Sequence, residues 1–151
     1  LFMDPLDDPF KAVNDALKDN PLKTGRAQAV LIDIHAEATS EKTVMGMMVD
    51  GRASLVVGTH THIPTADTRI LENGTAYQTD AGMCGDYNSV IGSSYETAAP
   101  RFMRKYANPR LAPQDGGEGT VCGTYVETND KTGLAIKAEP IRLGGLLMQT
   151  S

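Results

Sequence analysis

Tryptophan is absent from the sequence and cysteine is scarce, with only Cys84 and Cys122 among 151 residues. The two cysteines are far apart in the chain and fit no metal-binding or redox spacing, which predicts free thiols in a reducing compartment, the cytoplasm. A single disulfide between them stays open as an alternative. The sequence also lacks an apolar run long enough to cross a membrane and a signal-peptide pattern at its start, so we expect no membrane partner.

The sequence also has no excess of basic residues, and its net charge is −5 at pH 7. Such a chain has no positive field to attract nucleic acid, and we do not expect DNA as a partner. With 40% hydrophobic and 22% charged residues, the composition is that of an ordinary globular protein, and the length fits a single domain over residues 1–151. The chain lacks an initiator methionine and begins in Leu1–Met3, which is typical of a strand end. We therefore expect a fragment or processed product of a longer protein.

The first half of the chain carries the signals of a helix followed by a strand–helix–strand unit. Asp8-Pro9 is a helix start and Asn20-Pro21 is a helix stop. Residues 29–35 form a near-continuous apolar run, which predicts a strand covered on both faces of a sheet. A helix with Thr39 and Ser40 as capping residues and a strand over residues 52–57 complete a unit whose two strands end at the same edge of the sheet. The fold class is therefore α/β.

The second half of the chain predicts more strands and one interrupted helix. The Asn-Gly pair at residues 73–74 is a strong hairpin signal between two strand-like runs. The predicted elements are strands over 68–71 and 75–79, a helix over 95–106 that contains Pro100, and strands over 119–127 and 134–143.

Three histidines, the only ones in the chain, follow the ends of the two parallel strands: His35, His60 and His62. In an extended chain, residues two apart point to the same side, so His60 and His62 are expected to aim at one point. A flexible Gly58 lets the backbone come close to whatever lies there. Imidazole binds divalent metals well, so the pattern predicts a metal site. The alternatives are two surface histidines at a strand end and, for His35, a core histidine bonded to a backbone carbonyl.

Four carboxylates lie near these histidines in the sequence: Asp33, Glu37, Asp67 and Asp80. Carboxylates commonly orient metal-bound histidines, although for each of the four taken singly the pattern favours a strand-end or turn carboxylate in water. No serine lies in a Gly-x-Ser-x-Gly turn, and no glycine-rich loop has phosphate-cradling spacing.

Several of these segments together resemble a known family, the YmdB-like metallophosphoesterases of the calcineurin-like superfamily. The most specific segment is His-Ala-Glu-Ala-Thr-Ser-Glu-Lys at residues 35–42, followed by Gly-Thr-His-Thr-His at 58–62. The segments 74–77 (Gly-Thr-Ala-Tyr) and 79–83 (Thr-Asp-Ala-Gly-Met) add to the likeness, which runs through most of the chain.

The resemblance implies a phosphoric ester hydrolase in a four-layer α/β/β/α sandwich that uses two metal ions, iron or manganese. The implied substrates are phosphodiesters such as RNA-derived 2′,3′-cyclic nucleotides. By motif, His35 and His60 would ligate one metal and His62 the other. Both metals would stabilise the charge that develops as water attacks phosphorus.

The chain departs from the family by lacking the motifs of its N-terminal half. These supply an aspartate ligand, a bridging glutamate and an Asn-His pair whose histidine is the expected general acid, so no catalytic residue is assigned in this chain. We expect the chain alone to bind metal weakly and to be poorly active. We also expect it to form a homo-oligomer or a swapped assembly, or to associate with its missing half. A non-catalytic metal-binding or interaction module and an α/β domain without metal are the alternatives.

Overall fold

The structure is a computed structural model that describes residues 7–24, 26–103 and 109–150. Its elements in chain order are α1 (Pro9–Asp19), β1 (Leu31–His35), α2 (Thr39–Met48), β2 (Leu55–Thr59), β3 (Arg69–Ile70), β4 (Ala76–Gln78), α3 (Tyr95–Ala98), α4 (Pro100–Met103), β5 (Val121–Thr128) and β6 (Ala135–Leu143). None of the helices in these ranges is long and apolar enough to cross a membrane.

The strand–helix–strand unit predicted from the sequence is confirmed. Strands β1 and β2 run parallel with His35 opposite Thr59, so both end at the same edge of the sheet. Strand β4 extends this sheet in parallel on the far side of β2, and the short β3 pairs antiparallel with β4. The order β1-β2-β4-β3 gives a mixed sheet, with β5 and β6 forming a separate antiparallel pair.

The sheet is covered by helices on one face and by the β5–β6 pair on the other. Alternation along β2 divides its side chains, because Val56 packs with the helices while Leu55 and Val57 pack toward β6 and β5. The helix-side core consists of buried residues from α1, α2, the strands and the connection between α2 and β2: Leu17, Ile34, Met45, Val49, Ala53, Val56 and Tyr77.

Strand β1 differs from the sequence prediction. Its apolar run predicts cover on both faces, but only Ile32 and Ile34 join the helix-side core. Leu31 is 64% exposed, and Asp33 and His35 on the same face are also exposed. The exposure of these three side chains shows that this face is open in the described part of the chain, where β1 is also an edge strand that pairs with β2 alone. An apolar run reports hydrophobicity without saying how many faces are buried.

The predictions for the two helices, the strand end at the start of the chain and the domain count had different outcomes. Helix α1 begins after the cap Asp8 and ends before Asn20, as predicted. The predicted helix over 95–106 is two short helices, because the proline at α4's start has no backbone N–H to continue α3. Residues 104–106 and the predicted strand end Leu1–Met3 lie outside the described residues. The single domain over 1–151 stays a prediction.

Candidate metal centre

His35 and His60 come together at the carboxyl ends of β1 and β2. His35 Nε2 lies 3.1 Å from His60 Nδ1, and the rings meet edge to face with centroids 4.9 Å apart. Both side chains are open to solvent rather than buried, so the interpretation of His35 as a core histidine does not hold. Parallel register alone brings them together, since His35 pairs with the residue before His60.

The tautomer of His35 follows from its hydrogen-bond chain. The Thr59 hydroxyl donates to an Asp33 carboxylate oxygen at 2.9 Å, so its own oxygen is left to accept from His35 Nδ1–H at 3.1 Å. With its proton on Nδ1, His35 presents the lone pair of Nε2 toward His60. Asp33 therefore acts on His35 through Thr59, which is a relay that the sequence did not reveal.

Glu37 sets the other ring in the complementary way. Its carboxylate oxygen lies 2.5 Å from His60 Nε2, so His60 donates Nε2–H and, in its neutral form, presents the lone pair of Nδ1 to His35. A carboxylate bonded to the far nitrogen of an imidazole is the arrangement that raises the ligand basicity of metal-binding histidines.

Two lone pairs therefore converge at 3.1 Å between His35 and His60, and they repel unless a cation lies between them. A second proton on His60 is one solution and a metal ion is the other. Two nitrogen ligands about 2.1 Å from one ion are about 3 Å apart when they meet at a right angle, so the separation fits a shared metal. The residues present thus fit half of a metal coordination shell.

His62 is held differently from the other two histidines. Its Nδ1–H donates to the carbonyl oxygen of Ile91 at 2.8 Å, which leaves Nε2 free to bind a metal. Within the described residues, His62 shares no hydrogen bond with His35 or His60. No group of three or more His, Cys, Asp or Glu in those residues is arranged to hold an ion, so the chain offers a histidine pair plus a separate histidine.

The backbone at His60 and His62 is left-handed, with φ of +114° and +68°. Strand β2 ends at Thr59, so the two histidines do not follow the alternation of an extended chain, and that part of the sequence argument is wrong. Strained residues of this kind persist where surrounding contacts hold them, and they concentrate at functional sites.

A buried ion pair holds this strained loop. Lys42 Nζ lies 3.0 Å from Asp80 Oδ2, and the two side chains are 0% and 1% exposed. The same Asp80 oxygen accepts the N–H of Thr61, which lies between the two histidines, at 2.9 Å. Sequence analysis named Asp80 as a carboxylate near the histidines, whereas Lys42 entered it only as the last residue of the family-like segment 35–42, without a role.

Asp67 contacts none of the histidines among the described residues and instead braces the end of β4. Its carboxylate accepts from the hydroxyls of Thr65 and Thr79, both at 2.6 Å, and from Arg69 at 3.0 Å. Burial works against its ionisation, but these hydrogen bonds outweigh burial and lower the pKa of Asp67 below its ordinary value of 3.8.

We expect Asp67→Asn to lower the free energy of unfolding by about 1–2 kcal/mol at neutral pH, because hydrogen bonds to a charged acceptor are lost. A lowered folded-state pKa means that this stabilisation is complete above pH 3.8 and fades as the pH falls toward the folded-state value. Urea unfolding of the unaltered protein and the variant should therefore differ at pH 7 and converge in acid. A difference that grows on acidification would contradict the assignment.

Comparison with known proteins places this chain among phosphoesterase relatives. A family model described as "YmdB-like protein" matches residues 1–141. The chain is 45% identical over 140 residues to the 2′,3′-cyclic-nucleotide 2′-phosphodiesterase of Bacillus subtilis (strain 168), covering 93% of this chain and 51% of that protein.

Two solved structures share the fold of this chain. A hypothetical protein from Thermus thermophilus superimposes with a TM-score of 0.81 at 40% identity, covering 96% of this chain and 54% of that one. A phosphatase from Mycoplasma pneumoniae gives 0.79 at 32% identity, covering 95% of this chain and 50% of the other. The chain thus spans about half the length of the relatives it matches.

Proposed function

The chain belongs to the YmdB-like protein family, and on that premise we propose that the intact protein is a metal-dependent phosphodiesterase acting on 2′,3′-cyclic nucleotides. The observation that carries the proposal is the 3.1 Å distance between His35 Nε2 and His60 Nδ1, two ring nitrogens whose opposite nitrogens are bonded to Thr59 and Glu37, which suits a shared metal ion. The 45% identity to a cyclic-nucleotide phosphodiesterase supports the substrate class.

In this proposal His35 Nε2 and His60 Nδ1 hold one metal ion, and His62 Nε2 holds a second. Bound ions would supply Lewis-acid stabilisation of the negative charge that develops on the phosphoryl group during attack by water. The chain's own carboxylates do the positioning: Asp33 through Thr59 and Glu37 directly keep the protons on the outward nitrogens. The imidazole donors of this chain suit iron, and manganese would suit the site if carboxylate ligands from outside the described residues complete it.

The rest of the site would come from outside the described residues. We propose that this chain is the histidine half of a four-layer α/β/β/α sandwich, with the remaining ligands and the general acid in an N-terminal half. The support is the exposed face of β1, where Leu31, Asp33 and His35 have no cover in the described ranges, and the half-length match to the relatives. Association of the chain into homo-oligomers stays a prediction.

The proposal is tested by graded substitutions in the intact protein. His60→Ala should lower kcat/KM for a 2′,3′-cyclic nucleotide by more than about 100-fold, because loss of a ligand's partner already costs about 10–100-fold. Glu37→Gln should lower kcat/KM by about 10–100-fold, since the imidazole remains but an amide replaces the carboxylate that orients it. Metal content measured by plasma emission should drop in His60→Ala.

The matched control is Lys131→Ala, an exposed change in the β5–β6 turn, which should keep full activity and metal content. Metal binding without hydrolysis in the unaltered intact protein would favour a non-catalytic metal-binding module instead. Equal activity of His60→Ala and the unaltered protein would remove the metal assignment.

A further inference from the structure

The loop that meets His62 turns through an energetically unfavourable residue. Val90 and Ser93 exchange backbone hydrogen bonds of 2.8 and 3.0 Å, and the two residues between them, Ile91 and Gly92, have φ of +46° and +96°. Two positive φ values between paired residues define a type I′ turn, in which asparagine, aspartate or glycine is preferred at the first position. A β-branched isoleucine there is a steric outlier.

The contact with His62 does not explain the isoleucine. Only the backbone carbonyl of Ile91 accepts the His62 Nδ1–H, and asparagine or glycine would supply the same carbonyl with less strain. Core packing within the described residues covers only half of the side chain, because Ile91 is 50% exposed. A residue that breaks a local conformational rule while half of its side chain stays open points to a requirement on that side chain beyond the turn.

The loop is braced so that Ile91 stays beside the candidate metal centre. The hydroxyl of Tyr87 donates to the His62 carbonyl at 3.0 Å, and Ser89 Oγ accepts from Gly92 N–H at 2.9 Å. The Gly92 carbonyl in turn accepts from Gln114 N–H at 2.8 Å. Another exposed isoleucine, Ile63, directly follows His62 in the chain and is also 50% exposed. Two half-exposed isoleucines are thus linked to one candidate metal ligand, Ile63 as its neighbour in the chain and Ile91 as its hydrogen-bond partner.

We propose that Ile91, with Ile63, forms the apolar wall against which the base of a cyclic nucleotide packs while its phosphate lies at the histidines. This inference rests on the proposed function and adds a specificity-determining residue to it. A cyclic nucleotide carries its charge on the phosphate and a flat, weakly polar base one sugar away. Binding sites for such ligands combine a few polar groups with hydrophobic walls, and a histidine with two half-exposed isoleucines beside it supplies both kinds of group.

The test compares two substrates in the intact protein: a 2′,3′-cyclic nucleotide and ribose 2′,3′-cyclic phosphate, which lacks the base. Ile91→Asn keeps the turn and the carbonyl but removes the apolar wall. We expect kcat/KM for the nucleotide to fall about tenfold or more, mainly through KM, with little change for the baseless substrate. The melting temperature of the variant should not fall, because asparagine suits the turn better.

Two further variants sharpen the comparison. Ile91→Val retains an apolar side chain and should retain most of the preference for the nucleotide. Ile136→Asn makes the same substitution at an exposed isoleucine of β6 and should leave kcat/KM unchanged for both substrates. If Ile91→Asn leaves the ratio of kcat/KM for the nucleotide to kcat/KM for the baseless substrate unchanged, the inference is overturned while the proposed function stays intact. An unaltered protein that hydrolyses neither substrate would overturn both.

Discussion

Replacement of Lys42 by methionine is expected to destabilise the protein by about 3–5 kcal/mol, because it leaves the Asp80 carboxylate buried without its cation. The Lys42 and Asp80 side chains are 0% and 1% exposed and lie 3.0 Å apart. Burial opposes ionisation of Asp80, but hydrogen bonds from Thr61, Gly82 and Lys42 outweigh it and lower its pKa. The carboxylate therefore stays charged in the fold, and losing its partner exposes the full desolvation cost.

Urea unfolding followed by circular dichroism measures this loss. The matched control is Lys11→Met, which breaks a solvent-exposed pair with Asp15 and should change the stability little, because water screens such a pair. The double variant Lys42→Met with Asp80→Asn removes both charges and should recover part of the stability lost in the single variant. A Lys42→Met loss as small as that of Lys11→Met would show that the pair does not stabilise the fold.

Gly58→Ala is expected to be almost as damaging, with a loss of about 3 kcal/mol or more, at the upper limit of overpacking effects. A Cβ at this position would overlap the carbonyl oxygen of Thr79 and approach Lys42 Cδ to 2.7 Å. The Thr79 carbonyl belongs to the backbone at the end of β4 and cannot move without disturbing the sheet. Lys42 is held by its buried ion pair, so neither neighbour yields easily.

Gly123→Ala in β5 is the control, because a Cβ there meets nothing within 4 Å. Its φ is not positive either, so we expect a change within about 1 kcal/mol, in the stabilising direction if any. Thermal unfolding of the two variants should separate them clearly. Similar melting temperatures for both would mean that the sheet can open at Gly58 more easily than its contacts indicate.

The close neighbours of Gly58 also differ from those that the sequence led us to expect. The sequence predicts that this glycine lets the backbone approach a bound ligand, yet the close neighbours are the Thr79 carbonyl and Lys42. A glycine at a strand end reports that something approaches closely, but it cannot distinguish a ligand from a neighbouring strand.

The order of helices and strands followed from the sequence because its signals are local. The cap at Asp8, the apolar run of β1 and the hairpin signal at residues 73–74 each depend on a few neighbouring residues. The meeting of His35 with His60 was also predictable, since parallel strands joined by a helix end at one edge of the sheet.

Tertiary contacts decided the features that arrange the side chains of the candidate site. The Asp33–Thr59–His35 relay, the Glu37 contact with His60 and the Lys42–Asp80 pair join residues from different elements. The exposed face of β1, the left-handed backbone at the histidines and the strained Ile91 belong to the same group. Periodicity records which residues prefer burial, whereas a proton's position or a strained φ depends on which distant atoms arrive beside it, and that is settled only when the chain packs.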